Sequence, residues 1–224
     1  MKLIICDSKT WFNLDSNIAY GNEIKIVNNK KDLNIQMLCK YKPDFIFFVH
    51  WNWKVPKEIH INFNCVLFHT APLPFGRGGT PIQNLILRGY SKSPVYALKM
   101  VEEIDAGPIF DFEEISLKGN LSDIFLRINF VINNLIRKLI INKILPKEQI
   151  GNPFVFERLT EKDNEIPSNI NISEIYDRIR MLDDDSYPKA YIKFGKFKIE
   201  FFNANIENKD ILLNCKISEC KLDP

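Results

Sequence analysis

CVLFHTAPLPFGRGGTPIQ, residues 65–83, runs from an apolar segment through a loop dense in proline and glycine into the start of a helix. Cys65–His69 reads as a strand, and Thr80 before Pro81 reads as an N-cap followed by proline at the first helical position. Three earlier runs are also β-rich: Lys2–Asp7 (KLIICD), Glu23–Asn28 (EIKIVN) and Asp44–Trp51 (DFIFFVHW). The last is apolar at almost every position, as strands covered on both faces are. Between the second and third runs, Leu33, Met37 and Leu38 fall near helical spacing within Lys31–Tyr41. Ser93–Val101 and Pro108–Ile115 complete a strand–helix alternation, so the expected fold is an open, mostly parallel α/β sheet.

After Asn120 comes the clearest helix. Ile124, Ile128, Ile132, Leu135, Ile136, Leu139 and Ile140 form one apolar stripe, with Arg127, Asn133, Asn134, Arg137 and Lys138 assigned to the other face. Residues 146–167 turn polar and carry three prolines, which reads as a connecting arm. Ser173–Leu182 reads as a short amphipathic helix, and Tyr191–Phe194 with Lys196–Asn203 as a β-hairpin joined through Gly195. The division expected is a core over residues 1–153 and a small α+β subdomain over residues 154–224.

The balance of 30 basic against 28 acidic residues argues against a dedicated nucleic-acid binder, which carries a strong basic excess. Cys6 and Cys65 lie in apolar runs and read as buried thiols. Cys215 and Cys220 lack the further cysteines or histidines of a zinc site, so no metal is expected. The opening MKLIICDSKTW has four apolar residues in a row before Asp7, too few for a signal peptide, and no apolar stretch reaches membrane-span length. The expected compartment is the cytoplasm.

His69 stands at a strand's carboxyl end, where open α/β sheets place ligand sites. The loop behind it holds Pro72, Pro74, Gly76, Gly78 and Gly79, which permit close approach of a ligand, and Arg77 has the charge to pair with an anionic group. GRGGTP lacks the Lys-Ser/Thr of a phosphate-binding loop, and DSKTWF after the first strand has no glycine for a dinucleotide turn. A second element, VEEIDAGPIF (residues 101–110), sets Asp105 in a tight turn between two strands. Alone, either residue is an ordinary structural one; the case for a functional site rests on having both, with the Gly-rich loop between them.

HTAPLPFGRGGTPIQNLILRG followed by MVEEIDAGPI resembles the signature of the 10-formyltetrahydrofolate-dependent formyltransferases. The resemblance covers residues 40–150 well, including the spacing of 36 between His69 and Asp105 (105 − 69), and residues 173–204 look like the segment that follows the family core. It implies a Rossmann-like formyltransferase sheet, with His69 and Asp105 catalytic. It also implies Trp51, Trp53, Val55, Ile104 and Asp105 around the folate, and Arg77, Gly78, Gly79 and Gln83 toward the acceptor. One departure stands out: the family's Asn two positions before the His is Leu67 here, which has no hydrogen-bond donor for a developing oxyanion. Thr70 and Asn52 are candidate replacements, as are His69 itself and a loop N–H.

The short tail and the DDDSYPKAYI step resemble the sugar-nucleotide N-formyltransferases, so the expected acceptor is a UDP- or dTDP-linked amino sugar, with Tyr187 and Tyr191 as neighbours. The resemblance also implies a homodimer, for which the apolar C-terminal hairpin offers a surface. The alternatives are a methionyl-tRNA formyltransferase-like enzyme, a formyltetrahydrofolate hydrolase, or a binding protein impaired at Leu67.

Overall fold

The computed structural model describes residues 1–219. The chain runs β1 (Lys2–Cys6), α1 (Ser16–Ala19), β2 (Glu23–Val27), α2 (Ile35–Tyr41), β3 (Phe45–Phe48), α3 (Lys57–Asn62), β4 (Cys65–His69), β5 (Phe75–Gly78) and α4 (Pro81–Leu87). It continues through β6 (Lys92–Lys99), β7 (Ile109–Ser116), α5 (Leu121–Ile141), β8 (Phe154–Phe156), α6 (Ile172–Arg180), β9 (Ala190–Phe194), β10 (Phe197–Glu207) and β11 (Asp210–Glu219).

The apolar runs form the centre of a six-stranded sheet ordered β2-β1-β3-β4-β6-β7. β2, β1, β3 and β4 are parallel, and β6 turns antiparallel to β4. Leu3, Ile4, Ile46 and Phe47 are fully buried, which is why these runs carry no polar alternation. Registered neighbours Cys6, Phe48 and Leu67 bring the carboxyl ends of β1, β3 and β4 side by side. Two compact units result: Met1–Gly78, Pro94–Ile115 and Arg127–Val155 in one, and Gly79–Ser93, Ser116–Leu126 and the chain from Phe156 onward in the other.

In the first unit, Asp7 is buried and folds the loop after β1. Its Oδ1 accepts from the N–H groups of Lys9 and Thr10, and its Oδ2 from that of Phe12. Asn133 is buried too, although the helical pattern of α5 assigns it to the polar face. Its amide bonds the Asn13 carbonyl and the Asp15 N–H, so the side chain is satisfied inside. His50, at the end of β3, packs 5.5 Å from the Trp11 ring with Nε2 3.4 Å from Asn129 Oδ1.

In the second unit, Thr80 sits at the N-cap of α4 without capping it. Its backbone is left-handed (φ 45°), and its hydroxyl oxygen accepts from the Leu159 N–H instead. The hairpin forms through Gly195, but β10 extends to Glu207 and pairs with β11 to make a three-stranded antiparallel sheet. The segment read as an arm contributes β8, whose Phe154 and Val155 belong, with its partner strand β5, to the first unit. Cys220 lies outside the described residues. Among the described residues no helix is long and apolar enough to cross a membrane.

Phe47→Ala should cost about 3–5 kcal/mol, because the cavity lies in the middle of the sheet; urea denaturation will read it. Burial holds His50 below its ordinary value of 6.5, opposed by Asn129 and Asp7. A histidine depressed in the folded state stabilises fully above the unfolded value and loses that contribution as pH falls. Stability should therefore decline below about pH 6.5, and His50→Asn should flatten that decline in a pH series of unfolding curves.

Candidate active site

His69 ends β4 and is 7% exposed. Both ring nitrogens face acceptors: Nε2 lies 2.7 Å from the Gly76 carbonyl oxygen and Nδ1 lies 3.3 Å from Asp105 Oδ2. Gly76 has φ +88°, a conformation that glycine adopts without strain and that carries its carbonyl to the imidazole. Asp105 also has a left-handed backbone (φ 52°), and its Oδ2 accepts from the Gly78 N–H at 3.0 Å. The turn around it closes tightly, since a Cβ on Gly107 would lie 1.7 Å from the Lys99 carbonyl oxygen.

Gln149, in the stretch read as a connecting arm, organises this site, and no local sequence signal points to it. Its Nε2 donates to the Asp105 and Gly107 carbonyls, fixing the turn. Its Oε1 accepts from Arg77 Nε and Nη2, while Arg77 Nη1 reaches Glu103 at 2.8 Å. The Arg77 guanidinium is thus committed inside the protein, with its side chain 11% exposed.

Leu67 lies two residues before His69 on the same strand face and packs with Trp51 on the cluster of Ile46, Phe48, Val55 and Cys65. Thr70 is buried; Asn52 is exposed, its N–H donating to Ser8 Oγ, which itself donates to the His50 carbonyl. Trp53 meets Trp51 edge-on at 4.9 Å, Val55 is buried, and Ile104 is 72% exposed. The Trp51 indole N–H is the one buried side-chain polar atom among the described residues without a hydrogen-bond partner. Such a group costs about 1–3 kcal/mol.

Gly79 and Gln83 belong to the second unit. The Gly79 N–H donates to the Phe156 carbonyl, and Gln83 is buried with Nε2 on the Met181 carbonyl. Burial raises the Tyr187 hydroxyl, and the Tyr191 hydroxyl is also raised, chiefly by burial. In the first unit burial pushes the Cys65 thiol up to about 12 and the Cys6 thiol higher, so neither serves as a thiolate nucleophile. Among the described residues no cluster of His, Cys, Asp or Glu has the arrangement of a metal site.

Gln149→Ala should leave two carbonyls short of a donor and destabilise by about 1–3 kcal/mol. It should also lower turnover by loosening Asp105. Thermal unfolding and steady-state rates, measured together, will separate the two effects.

Residues 161–218 match the family described as "Methionyl-tRNA formyltransferase, C-terminal domain". The methionyl-tRNA formyltransferase of Campylobacter lari is 31% identical over 92% of this chain and 72% of its own length. Of further bacterial methionyl-tRNA formyltransferases the chain spans 56–66%. A solved methionyl-tRNA formyltransferase from Clostridium thermocellum is 38% identical, covers 98% of this chain and 100% of its own, and superposes with a TM-score of 0.91. The formyltransferase PseJ from Anoxybacillus kamchatkensis was solved with UDP-4,6-dideoxy-4-formamido-L-AltNAc and tetrahydrofolate. It shares the fold at 17% identity and a TM-score of 0.58, over 73% of this chain and 89% of its own. The α/β sheet, the His69–Asp105 arrangement and these similarities lead to one assignment: the chain belongs to the formyltransferase family that includes the methionyl-tRNA formyltransferases.

Proposed function

We propose that the chain moves the formyl group of 10-formyltetrahydrofolate to the amine of a nucleotide-linked amino dideoxysugar, with the cytoplasm as its compartment. The observation that carries the chemistry is the pairing of buried His69, at the carboxyl end of β4, with Asp105 3.3 Å away. An amine attacks only when neutral and must then shed a proton. In this reading the Asp105 carboxylate is the acceptor, and His69, anchored on Gly76, holds it in place and shares the charge.

The donor's fit rests on the wall around Val55. Trp51 packs there and meets Trp53 edge-on, and the Trp51 indole N–H is buried without a partner among the described residues. Beside it is a concavity of about 340 Å³ lined by Val55, Lys30, Lys54, Lys57, His60 and Glu102. An apolar wall with a basic rim suits a flat heterocycle bearing a glutamate tail. The group bound there supplies the formyl carbon.

The charge pattern of the C-terminal sheet supports a small acceptor. Lys193, Lys196, Lys198 and Lys216 each lie within ion-pair distance of a glutamate. A tRNA acceptor calls for cations free to displace counterions from phosphates. PseJ, which shares the fold, was solved with a UDP-linked sugar. A second reading, methionyl-tRNA as acceptor, is favoured by the name of the Clostridium thermocellum protein and its 38% identity to this chain.

The deciding experiment incubates the protein and 10-formyltetrahydrofolate with UDP- and dTDP-linked 3-amino and 4-amino dideoxysugars, and separately with methionyl-tRNA. A formylated sugar, formed at a rate nearly independent of salt, is expected. Product on methionyl-tRNA alone would establish the second reading, and formate release without an amine would identify a hydrolase. Asp105→Asn should lower kcat by about 10²–10⁴-fold with an unchanged circular dichroism spectrum; wild-type turnover in that variant would refute the assignment of the base.

A further inference from the structure

Acyl transfer places negative charge on the carbonyl oxygen, and that oxygen needs a preorganised donor. Three polar groups of the site already face partners. His69 Nε2 is on the Gly76 carbonyl, His69 Nδ1 faces Asp105, and the Gly78 N–H is on Asp105 Oδ2. Leu67, on the same face of β4, has no donor.

The Trp51 indole N–H is in the opposite condition: buried and, among the described residues, without an acceptor. Its ring meets that of Phe48 edge-on at 5.9 Å. Phe48 is the registered neighbour of Leu67 in the parallel pair β3–β4, so both lie on one face of the sheet. His69, two residues beyond Leu67, shares that face. Trp51 follows Phe48 by three residues, past the end of β3.

We propose that the Trp51 indole N–H is the side-chain donor to the oxygen of the transferred formyl group, the function that Leu67 cannot perform. The inference rests on the formyl-transfer reading above. As the amine nitrogen bonds to the formyl carbon, the carbonyl π pair moves to oxygen and is held by the indole N–H. When the C=O bond re-forms, the bond from carbon to the folate nitrogen breaks and its electron pair stays on that nitrogen. The proton shed by the amine passes to the Asp105–His69 pair and from there to the folate nitrogen, so no proton is gained or lost overall.

The test has a binding arm and a turnover arm. With ¹⁵N-labelled indoles, and Trp51→Phe to assign the signal, the Trp51 Nε1–H resonance should move downfield on adding 10-formylfolate. It should move little with folate, which lacks the formyl oxygen. In turnover, Trp51→Phe should lower kcat by about 10²-fold or more with the donor KM within a few-fold. Leu67→Asn, added to that variant, should recover about tenfold by restoring a donor on the same face. Equal shifts with both ligands, or wild-type kcat in Trp51→Phe, would overturn the inference. If the wild-type protein formylates no acceptor, the proposed function fails, and the indole shift alone still decides whether Trp51 meets the formyl oxygen.

Discussion

The imidazole of His69 is held between two acceptors, a backbone carbonyl on one side and a carboxylate on the other. Much of the site exists to keep those acceptors in place. Gly76 takes a backbone angle that suits glycine and so turns its carbonyl inward. Asp105 takes a left-handed angle, and the turn carrying it depends on the lack of a side chain at Gly107 and on the amide of Gln149. Gln149 in turn is tied to Arg77, so the loop after β4 and the turn after β6 are fastened to each other. The left-handed Asp105, the positive-φ Gly76 and the half-buried Gln149 are therefore linked as one unit, and loosening any of them moves the Asp105 carboxylate.

Across the sheet face from this polar unit lies an apolar wall of Phe48, Leu67, Trp51 and Val55. The contrast is useful for group transfer. The wall excludes water, and electrostatic contacts at its edge are strengthened in the low-dielectric surroundings. It also makes each remaining donor matter more, which is why one orphaned indole N–H beside an all-carbon side chain carries chemical information.

The C-terminal sheet follows a different economy. Its strands are half-exposed, and their lysines alternate with glutamates at ion-pair distance, so the surface is close to neutral. Pairs of this exposed kind contribute little to stability. Their effect is on the field that the surface presents, which is weak and favours neither sign of partner.

Much of the fold was legible in the chain because burial on both faces of a parallel sheet forces continuous apolar runs, and KLIIC, FIFF and CVLFH are such runs. α5 was legible for the same reason at helical period, except at Asn133, where a polar residue is buried by bonds to a loop more than a hundred positions away. β11 was not legible, because its residues stay largely exposed and their state is set by pairing with β10. His69 and Asp105 could be singled out because glycine, proline and aspartate mark sharp turns by their own stereochemistry. The sequence by itself determined the sheet and the turns, since these follow from local periodicity and backbone preference, and its resemblance to the formyltransferases singled out His69 and Asp105. Only the tertiary structure decided that Arg77 is committed to Gln149 and Glu103, that Gln83 is buried, and that Trp51 is left without an acceptor. Each of those depends on which distant groups come within about 3 Å, and hydrogen bonding at that range has no signature along the chain.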